Sequence, residues 1–199
     1  MIKGLLISLS FTVLMCSHQD SVYITEIQKY QQELNKEYLD EYRSPLTKKA
    51  RKSFQGHEFF AINKTYQVKA EVIKTPESRP FLMAMSTGSN QLYRRLAILR
   101  FNLNGESYEL EAYTKARSFG LSMKTTAVLI PIIDKTTGES TYDGGRYLTF
   151  SKAPEGDEWI LDFNKLFNPY CAYDDEITCP VVPEANHLSV AIEAGIKGF

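Results

Sequence analysis

The stretch LYRRLAILRFNLNGESYELEAY, residues 92–113, decides the fold class of this chain. Two runs with strand-like composition, Leu92–Leu103 and Ser107–Tyr113, flank the dipeptide Asn104-Gly105. Asn-Gly favours a two-residue hairpin turn because both central positions of that turn have positive φ. The stretch therefore predicts two antiparallel strands that are joined by a tight turn.

The same strand signal recurs before and after this hairpin. In residues 66–72, Tyr, Val, Ala and Val alternate with Gln, Lys and Glu, as in a half-buried strand. Pro131 lacks the N–H that a ladder needs, so we expect its strand to lie at an edge or to end there. About eight short strands predict a mainly β (α+β) domain, built as an antiparallel β-barrel or sandwich. The remaining strand candidates are Phe81–Met85, Thr125–Ile133, Arg146–Phe150, Glu158–Phe163 and Leu188–Ala194.

Two helices are predicted before the strands, within residues 22–56. From Tyr23 to Tyr42 apolar residues recur every three or four positions, which makes one apolar helix face. Ser44-Pro45 ends this helix and is typical of the start of a second one, which is short, basic and ends near Gly56. We expect both helices to pack beside the sheet or over one open end.

The first sixteen residues, MIKGLLISLSFTVLMC, differ in composition from the rest of the chain. Lys3 precedes an uncharged run that ends at Met15, too short for the about 20 apolar residues of a membrane span but typical of a secretory signal. Val13-Leu-Met-Cys16 resembles the lipobox of bacterial lipoproteins, in which cleavage precedes a cysteine that carries diacylglycerol. The favoured interpretation is a signal peptide over residues 1–15, a lipid anchor on Cys16, a tether over 16–21 and one domain over 22–199. Ordinary secretion with cleavage near Ser17 and an uncleaved anchor are the alternatives.

Charge and address limit the partners. The chain has 23 basic and 24 acidic residues, a formal net charge of −1, so it has no extended basic field for phosphate groups and we expect no nucleic-acid partner. The leader predicts the bacterial cell envelope, at the outer membrane or on the periplasmic side.

Cys171 and Cys179 are the two cysteines that remain if Cys16 is lipid-modified. In an oxidising compartment such a pair predicts a disulfide, with free thiols and a metal site as alternatives. A zinc site usually has more closely spaced ligands, and His187 would be a third ligand without a fourth. We therefore expect no metal and no cofactor. A nucleophilic pair of Cys171 with His187 has no supporting motif.

Residues 134–186 are rich in side chains that bind ligands or satisfy buried backbone groups. Arg146 follows Gly144-Gly145, where the backbone allows a close approach. Its favoured role is structural: if Phe150 lies opposite Glu158 in a hairpin, Arg146 lies opposite Asp162. The alternative is contact with a small polar or anionic ligand. Candidate ligand contacts are Tyr142, Arg146, Asn164, Asn168, Tyr170 and Tyr173.

Several longer motifs carry a resemblance to one family. They are Thr141-Tyr-Asp-Gly-Gly-Arg-Tyr147, Leu161-Asp-Phe-Asn164, Asn168-Pro-Tyr-Cys-Ala-Tyr173, Cys179-Pro180 and Asn186-His-Leu188. With these motifs the sequence is similar to the bacterial domain-of-unknown-function family numbered 1684, whose members are often envelope lipoproteins in Bacteroidetes-type bacteria. The resemblance extends from about Tyr23 to Phe199 and implies a shared fold and site region, but no reaction. In the family pattern Glu directly precedes the Asn-(His/Arg)-Leu step, whereas here Ala185 does and Glu184 lies one position earlier.

Three functions are compatible with these features. The favoured one is a lipoprotein that binds a small polar or anionic ligand without catalysis. An accessory protein would instead dock another envelope component through the tyrosine-lined helix. A hydrolase is the third, but the chain has three histidines and no recognisable nucleophile and base, so an enzymatic role is left open.

Overall fold

A computed structural model of the protein describes residues 6–116 and 127–198, with side chains from residue 20 onward. Its helices are α1, Leu6–Leu39, and α2, Lys48–Ser53. One long helix thus precedes the strands, because α2 has only six residues. α1 includes residues 16–21, so the segment predicted as a tether is helical. The signal-peptide prediction for residues 1–5 and the side chain of Cys16 lie outside the described part of the chain.

Nine strands follow along the described residues, and seven of them match predicted segments to within a few residues. Thr125 and Thr126, predicted to begin the strand that contains Pro131, lie outside the described residues. The strands are β1 Glu58–Phe59, β2 Gln67–Lys74, β3 Phe81–Ala84, β4 Asn90–Leu103, β5 Glu106–Lys115, β6 Val128–Ile132, β7 Arg146–Phe150, β8 Glu158–Asp162 and β9 Ile196–Lys197.

The main sheet is an antiparallel half-barrel. Its strand order is β7-β6-β5-β4-β2-β8, with β3 paired to the first part of β4. The sheet curls until its two edge strands approach each other, so that the ring centroids of Phe150 on β7 and Trp159 on β8 lie 5.9 Å apart. β1 and β9 form a separate two-stranded sheet. The mainly β, barrel-like prediction is confirmed in this coarse form.

The β4–β5 hairpin forms at the predicted turn. Leu103 lies opposite Glu106, and Asn104 and Gly105 have φ values of 54° and 85°. Positive φ at both positions is the geometry that Asn-Gly tolerates and most other residue pairs resist.

The predicted hairpin of residues 146–150 and 158–163 is wrong. β7 pairs with β6, placing Arg146 opposite Ile132, whereas β8 pairs with β2, placing Asp162 opposite Gln67. The two segments therefore occupy opposite edges of the sheet. Consecutive strands often pair with each other but need not do so. Here each of the two strands pairs through its backbone with a different strand of the sheet.

Leu188–Ala194 is not a strand, although its composition predicted one. This segment has an irregular backbone and fills the open side of the half-barrel, where Leu188, Ile192 and Ala194 join the main core. Burial explains the apolar pattern that suggested a strand. The core that they complete includes Leu99, Leu110, Ile130, Leu148, Leu161 and Phe163.

Pro131 lies in an interior strand, but the ladder beside it is interrupted. β5 and β6 share the single register pair Tyr113 and Leu129. Beyond it, the Asn186 side chain bridges the two strands: its Nδ2 donates to Pro131 O at 2.7 Å and to Glu111 O at 3.0 Å. Its Oδ1 accepts from Glu111 N at 2.7 Å. A side-chain amide thus replaces the peptide contacts that a proline cannot make.

α1 packs its apolar face on the barrel edge and on the segment after β8. Tyr23, Ile27, Leu34 and Tyr38 are buried. The Tyr30 hydroxyl donates to Lys165 O at 2.8 Å. The helix is held by both apolar contacts and directed hydrogen bonds. Tyr42, predicted as the last residue of the apolar face, lies beyond the end of α1 and is exposed.

Candidate functional site

Arg146 belongs to a closed polar cluster. Its side chain is 0% exposed, as is that of Asp134, whose Oδ2 accepts from Arg146 Nη2 at 2.7 Å. Burial lowers the pKa of the guanidinium, and the Asp134 charge opposes that change. The predicted pairing with Asp162 is therefore wrong, and Arg146 presents no exposed surface to a ligand. Arg146 also donates to Thr136 Oγ1 at 3.2 Å and, at 2.6–3.0 Å, to the carbonyl oxygens of Ile192, Ala194 and Ile196.

Asn164 belongs to a second buried network, which fastens α1 to the end of β8. Its Nδ2 donates to Tyr23 Oη at 2.9 Å and its Oδ1 accepts from Asn63 N at 3.0 Å. The Tyr23 hydroxyl donates to Asp162 Oδ1 at 2.9 Å. Burial and then the nearby Asp162 charge raise the pKa of Tyr23. These groups satisfy one another, so Asn164 holds the fold together at this point.

Asn168 and Tyr173 support an aromatic cluster beneath α1. Asn168 Nδ2 donates to the Tyr173 hydroxyl at 3.1 Å, and the Tyr173 ring centroid lies 4.9 Å from that of Tyr38. The His57 ring stands edge-on to Tyr38 at 4.2 Å, and its Nδ1 lies 2.7 Å from Asn35 Oδ1. Burial lowers the pKa of His57 to about 4, so the ring is neutral at pH 7.

A groove of about 790 Å³ lies between α1, the outer face of β7 and the segment 167–180. That volume is within the range of ligand-binding pockets. Of the six predicted ligand contacts, Tyr170 is the one that lines it. We refer to this space as the helix–edge groove. Its aromatic and apolar surface comes from Tyr30, Leu34, Tyr147, Phe167, Tyr170 and Ile177.

The charges of the helix–edge groove come from α1 and the turn after it, and they include two exposed cations, Lys36 and Arg43. Glu37 is half-buried and accepts a hydrogen bond from the Tyr170 hydroxyl. Within the described residues no cation lies within 4.0 Å of Glu37, whereas Arg43 pairs with Asp40 at 3.4 Å. Glu33 also lines the groove and lies 3.9 Å from Lys29. A half-buried carboxylate without a cationic partner is suited to a positively charged ligand group.

Cys179 lines the groove, and Cys171 lies beside it. They are free thiols in the structure, and Cys171 N lies 3.2 Å from Cys179 Sγ. A hydrogen bond between the thiols lowers the pKa of Cys171 to about 7 and, with burial, raises that of Cys179. Tyr142 lies close to both and its pKa is raised, first by its own burial and then by Cys171. The disulfide stays a prediction, and its two cysteines are neighbours.

The described contacts do not assemble a metal site or a nucleophilic pair. Over residues 20–116 and 127–198, no three His, Cys, Asp or Glu side chains are grouped as metal ligands would be. The thiol of Cys171 interacts with Cys179 and Ser86, and His187 is exposed on another segment. In the part of the chain that the structure covers, no helix is both long enough and apolar enough to span a bilayer.

Most residues of the helix–edge groove are absent from the sequence-based predictions. Glu33 and Glu37 are ordinary solvent-facing positions in the helical pattern of α1, and Thr149 is an ordinary polar position in β7. What makes them neighbours is the docking of α1 on the segment after β8, which itself lies beside β7, and no local pattern specifies that contact. The one available signal was the spacing of four that sets Glu33 and Glu37 beside Tyr30 and Leu34 on the helix surface.

Comparisons with known proteins identify relatives without a reaction. A family model described as "Protein of unknown function (DUF1684)" matches residues 52–197. Among solved structures, an uncharacterised protein of Haloarcula marismortui, determined by solution NMR, is 31% identical with a TM-score of 0.69. The alignment covers 90% of this chain and 96% of that one. Among curated proteins, no match is found.

Proposed function

The chain belongs to the family described as protein of unknown function (DUF1684), and from that premise we propose that it is an exported, lipid-anchored binding protein. Its binding site is the helix–edge groove, and its ligand is a polar molecule that carries a positively charged group. The observation that carries this proposal is the half-buried carboxylate of Glu37, which has no cation within 4.0 Å among the residues that the structure describes.

The ligand class differs from the anionic one that the sequence favoured. The prediction of an anionic ligand depended on Arg146. Its buried guanidinium instead binds Asp134 and three carbonyl oxygens inside the fold. Of the charged side chains that line the groove, Glu37 is the half-buried one, whereas the cations Lys36 and Arg43 are exposed. The surrounding tyrosines supply both flat apolar contact and hydroxyl groups, and such surfaces also attract cations over the ring faces.

The address is proposed from the N-terminal sequence. Lys3, the uncharged run to Met15 and Cys16 support export to the bacterial cell envelope with a lipid on Cys16. If the anchor forms, Cys16→Ser should move the protein from the membrane fraction to the soluble one. Wild-type protein that is soluble and has an unmodified Cys16 thiol would contradict the anchor.

Binding is tested with a small cationic probe, N-acetyl-lysine N-methylamide, added to the mature protein while backbone amide NMR signals are followed. We expect shifts at Tyr147, Thr149 and Tyr170. Glu37→Gln should weaken the probe's affinity about tenfold, because a charge-assisted hydrogen bond is lost.

The matched control is Glu41→Gln, which removes the same charge from an exposed position outside the groove. It should leave the affinity unchanged. Equal weakening by both variants would mean that the probe responds to the overall charge of the protein, and this would contradict a site at Glu37.

A further inference from the structure

β7 is an edge strand whose outer side is only partly used. Tyr147 N donates to Phe167 O at 2.8 Å, and Phe167 N donates to Tyr147 O at 3.1 Å. Tyr147 directs both groups outward because it forms a non-hydrogen-bonded pair with Pro131 on β6, whose carbonyl points the other way, toward Asn186. The chain thus already adds one strand-like residue to this edge.

Thr149 lies two residues further along the same edge. In an antiparallel strand, hydrogen-bonding direction alternates, so the N–H and C=O of Thr149 also point away from β6. Over residues 6–116 and 127–198 the protein's own chain does not reach them: the residue in line with Thr149 would be Lys165, but Phe163–Lys165 forms a 3-10 turn. Thr149 is exposed and lines the helix–edge groove. A free strand edge therefore runs along one side of the groove.

The opposite side of the groove supplies side-chain recognition. Tyr30, Leu34 and Glu37 lie on the face of α1 that turns toward the groove. Apolar positions beside a carboxylate without a cation complement a chain that carries apolar residues and a lysine or arginine. A groove between an edge strand and a helix combines backbone pairing on one side with side-chain pockets on the other.

We propose that the occupant of the helix–edge groove is an extended peptide segment of another protein, bound by strand addition to β7 at Thr149, with a basic side chain at Glu37. This inference rests on the proposed binding function and names its ligand. Backbone pairing gives the outward N–H and C=O of Thr149 hydrogen-bond partners. Glu37 restricts which peptide sequences are accepted.

The probe is the peptide acetyl-Val-Thr-Lys-Thr-Val-amide, titrated into the mature protein by amide NMR beside N-acetyl-lysine N-methylamide. The peptide should bind at least about tenfold more tightly than the single amino-acid derivative, because it adds backbone hydrogen bonds and apolar contact. Two further peptides, N-methylated on alternate residues, test the backbone bonds. One of the two should lose binding and the other should retain it, since alternate residues face the edge.

The protein-side test compares Thr149→Pro with Thr149→Val. Proline removes the outward N–H and is tolerated on edge strands, whereas valine keeps it and removes only the hydroxyl. Thr149→Pro should weaken the peptide about fivefold to tenfold, and Thr149→Val should change it less than twofold. If Thr149→Pro does not fold, the N-methylated peptides test the same hydrogen bonds from the ligand side.

The outcomes separate the two proposals. If the single amino-acid derivative binds at Glu37 as tightly as the peptide, and neither N-methylated peptide loses binding, strand addition is refuted while a cation site stands. If neither probe shifts groove signals, the proposed function falls as well. Binding that requires Thr149 N–H but survives Glu37→Gln keeps strand addition and removes the basic side chain from the proposal.

Discussion

The cluster around Arg146 and the helix–edge groove both contain charged side chains, but the surroundings of those charges are opposite. Arg146 and Asp134 have no exposed surface and satisfy each other inside the barrel. Glu37 faces a groove, where it accepts a hydrogen bond from the Tyr170 hydroxyl and has no cation within 4.0 Å among the described residues. The polar residues that are concentrated in residues 134–186 therefore mainly hold parts of the fold together. The candidate site lies instead where α1 and β7 bring the Glu37 carboxylate and the Thr149 backbone to one groove.

The largest effect is expected at the closed cluster. Arg146→Ala should lower the free energy of unfolding by about 3–5 kcal/mol, because it leaves the buried Asp134 carboxylate without its cation and frees the C-terminal carbonyls. Asp134→Ala should cost a similar amount. Urea unfolding of the two single variants and the double variant should reveal a strong coupling energy.

Asp162→Ala serves as the comparison for that cycle. Asp162 belongs to the network of Tyr23 and Asn164, so its effect should add to that of Arg146→Ala without coupling. Strong coupling between Arg146 and Asp162, with none between Arg146 and Asp134, would contradict the pairing described here.

Oxidation of Cys171 and Cys179 to a disulfide should have the next largest effect on the free energy of unfolding. A disulfide between Cys171 and Cys179 closes a nine-residue loop and should stabilise the fold by about 2.5 kcal/mol on a chain-entropy estimate. Thiol titration of denatured, unreduced mature protein carrying Cys16→Ser should find no free thiol. Two reactive thiols per chain would show that the pair stays reduced.

Asn186 is a second buried polar side chain with a structural role, the bridge between β5 and β6. The side chain is 0% exposed, and Asn186→Ala should cost about 2 kcal/mol because buried groups of Glu111 and Pro131 lose their partner. Asn102→Ala, at an exposed position of β4, should change the free energy of unfolding by less than about 0.5 kcal/mol. Equal urea midpoints for the two variants would contradict the bridging role.

The buried His57 in the aromatic cluster beneath α1 predicts that the stability of the fold depends on pH. Its pKa is lowered from 6.5 to about 4, so between these values the unfolded chain binds more protons than the folded one. Stability should therefore fall as the pH drops from 6.5 toward 4, with no further loss from this group below that range. His57→Phe should flatten this part of the urea-midpoint profile, whereas His187→Gln, at an exposed site, should leave it unchanged.

The smallest stability effect is expected in the groove itself. Glu37→Gln keeps an acceptor for the Tyr170 hydroxyl and should shift the free energy of unfolding by less than about 0.5 kcal/mol. A loss comparable to that of Arg146→Ala would remove the contrast between the two regions, because Glu37 would then be structural as well.

Much of the β architecture was predictable because strand periodicity and turn chemistry are local. Asn104-Gly105 specified its hairpin through backbone conformation, and β7 has the bounds that the pattern predicted, Arg146–Phe150. Leu188–Ala194 was misread because a buried irregular segment and a buried strand share the same apolar composition. The partners of Arg146 were missed because they are a carboxylate beyond β6 and the carbonyls of the C-terminal segment.

The sequence by itself determined the apolar face of α1, most of the strand segments and the neighbouring cysteines, since each depends on residues close together in the chain. Tertiary structure alone decided which strands are neighbours, that Arg146 is enclosed, and that Glu37 and Thr149 face one groove. The physical reason is that strand pairing and helix docking are selected by the burial of whole faces, which sums over many weak contacts between distant segments. The half-buried charge of Glu37 and the strand edge at Thr149 are consequences of that packing and have no local sequence signal of their own.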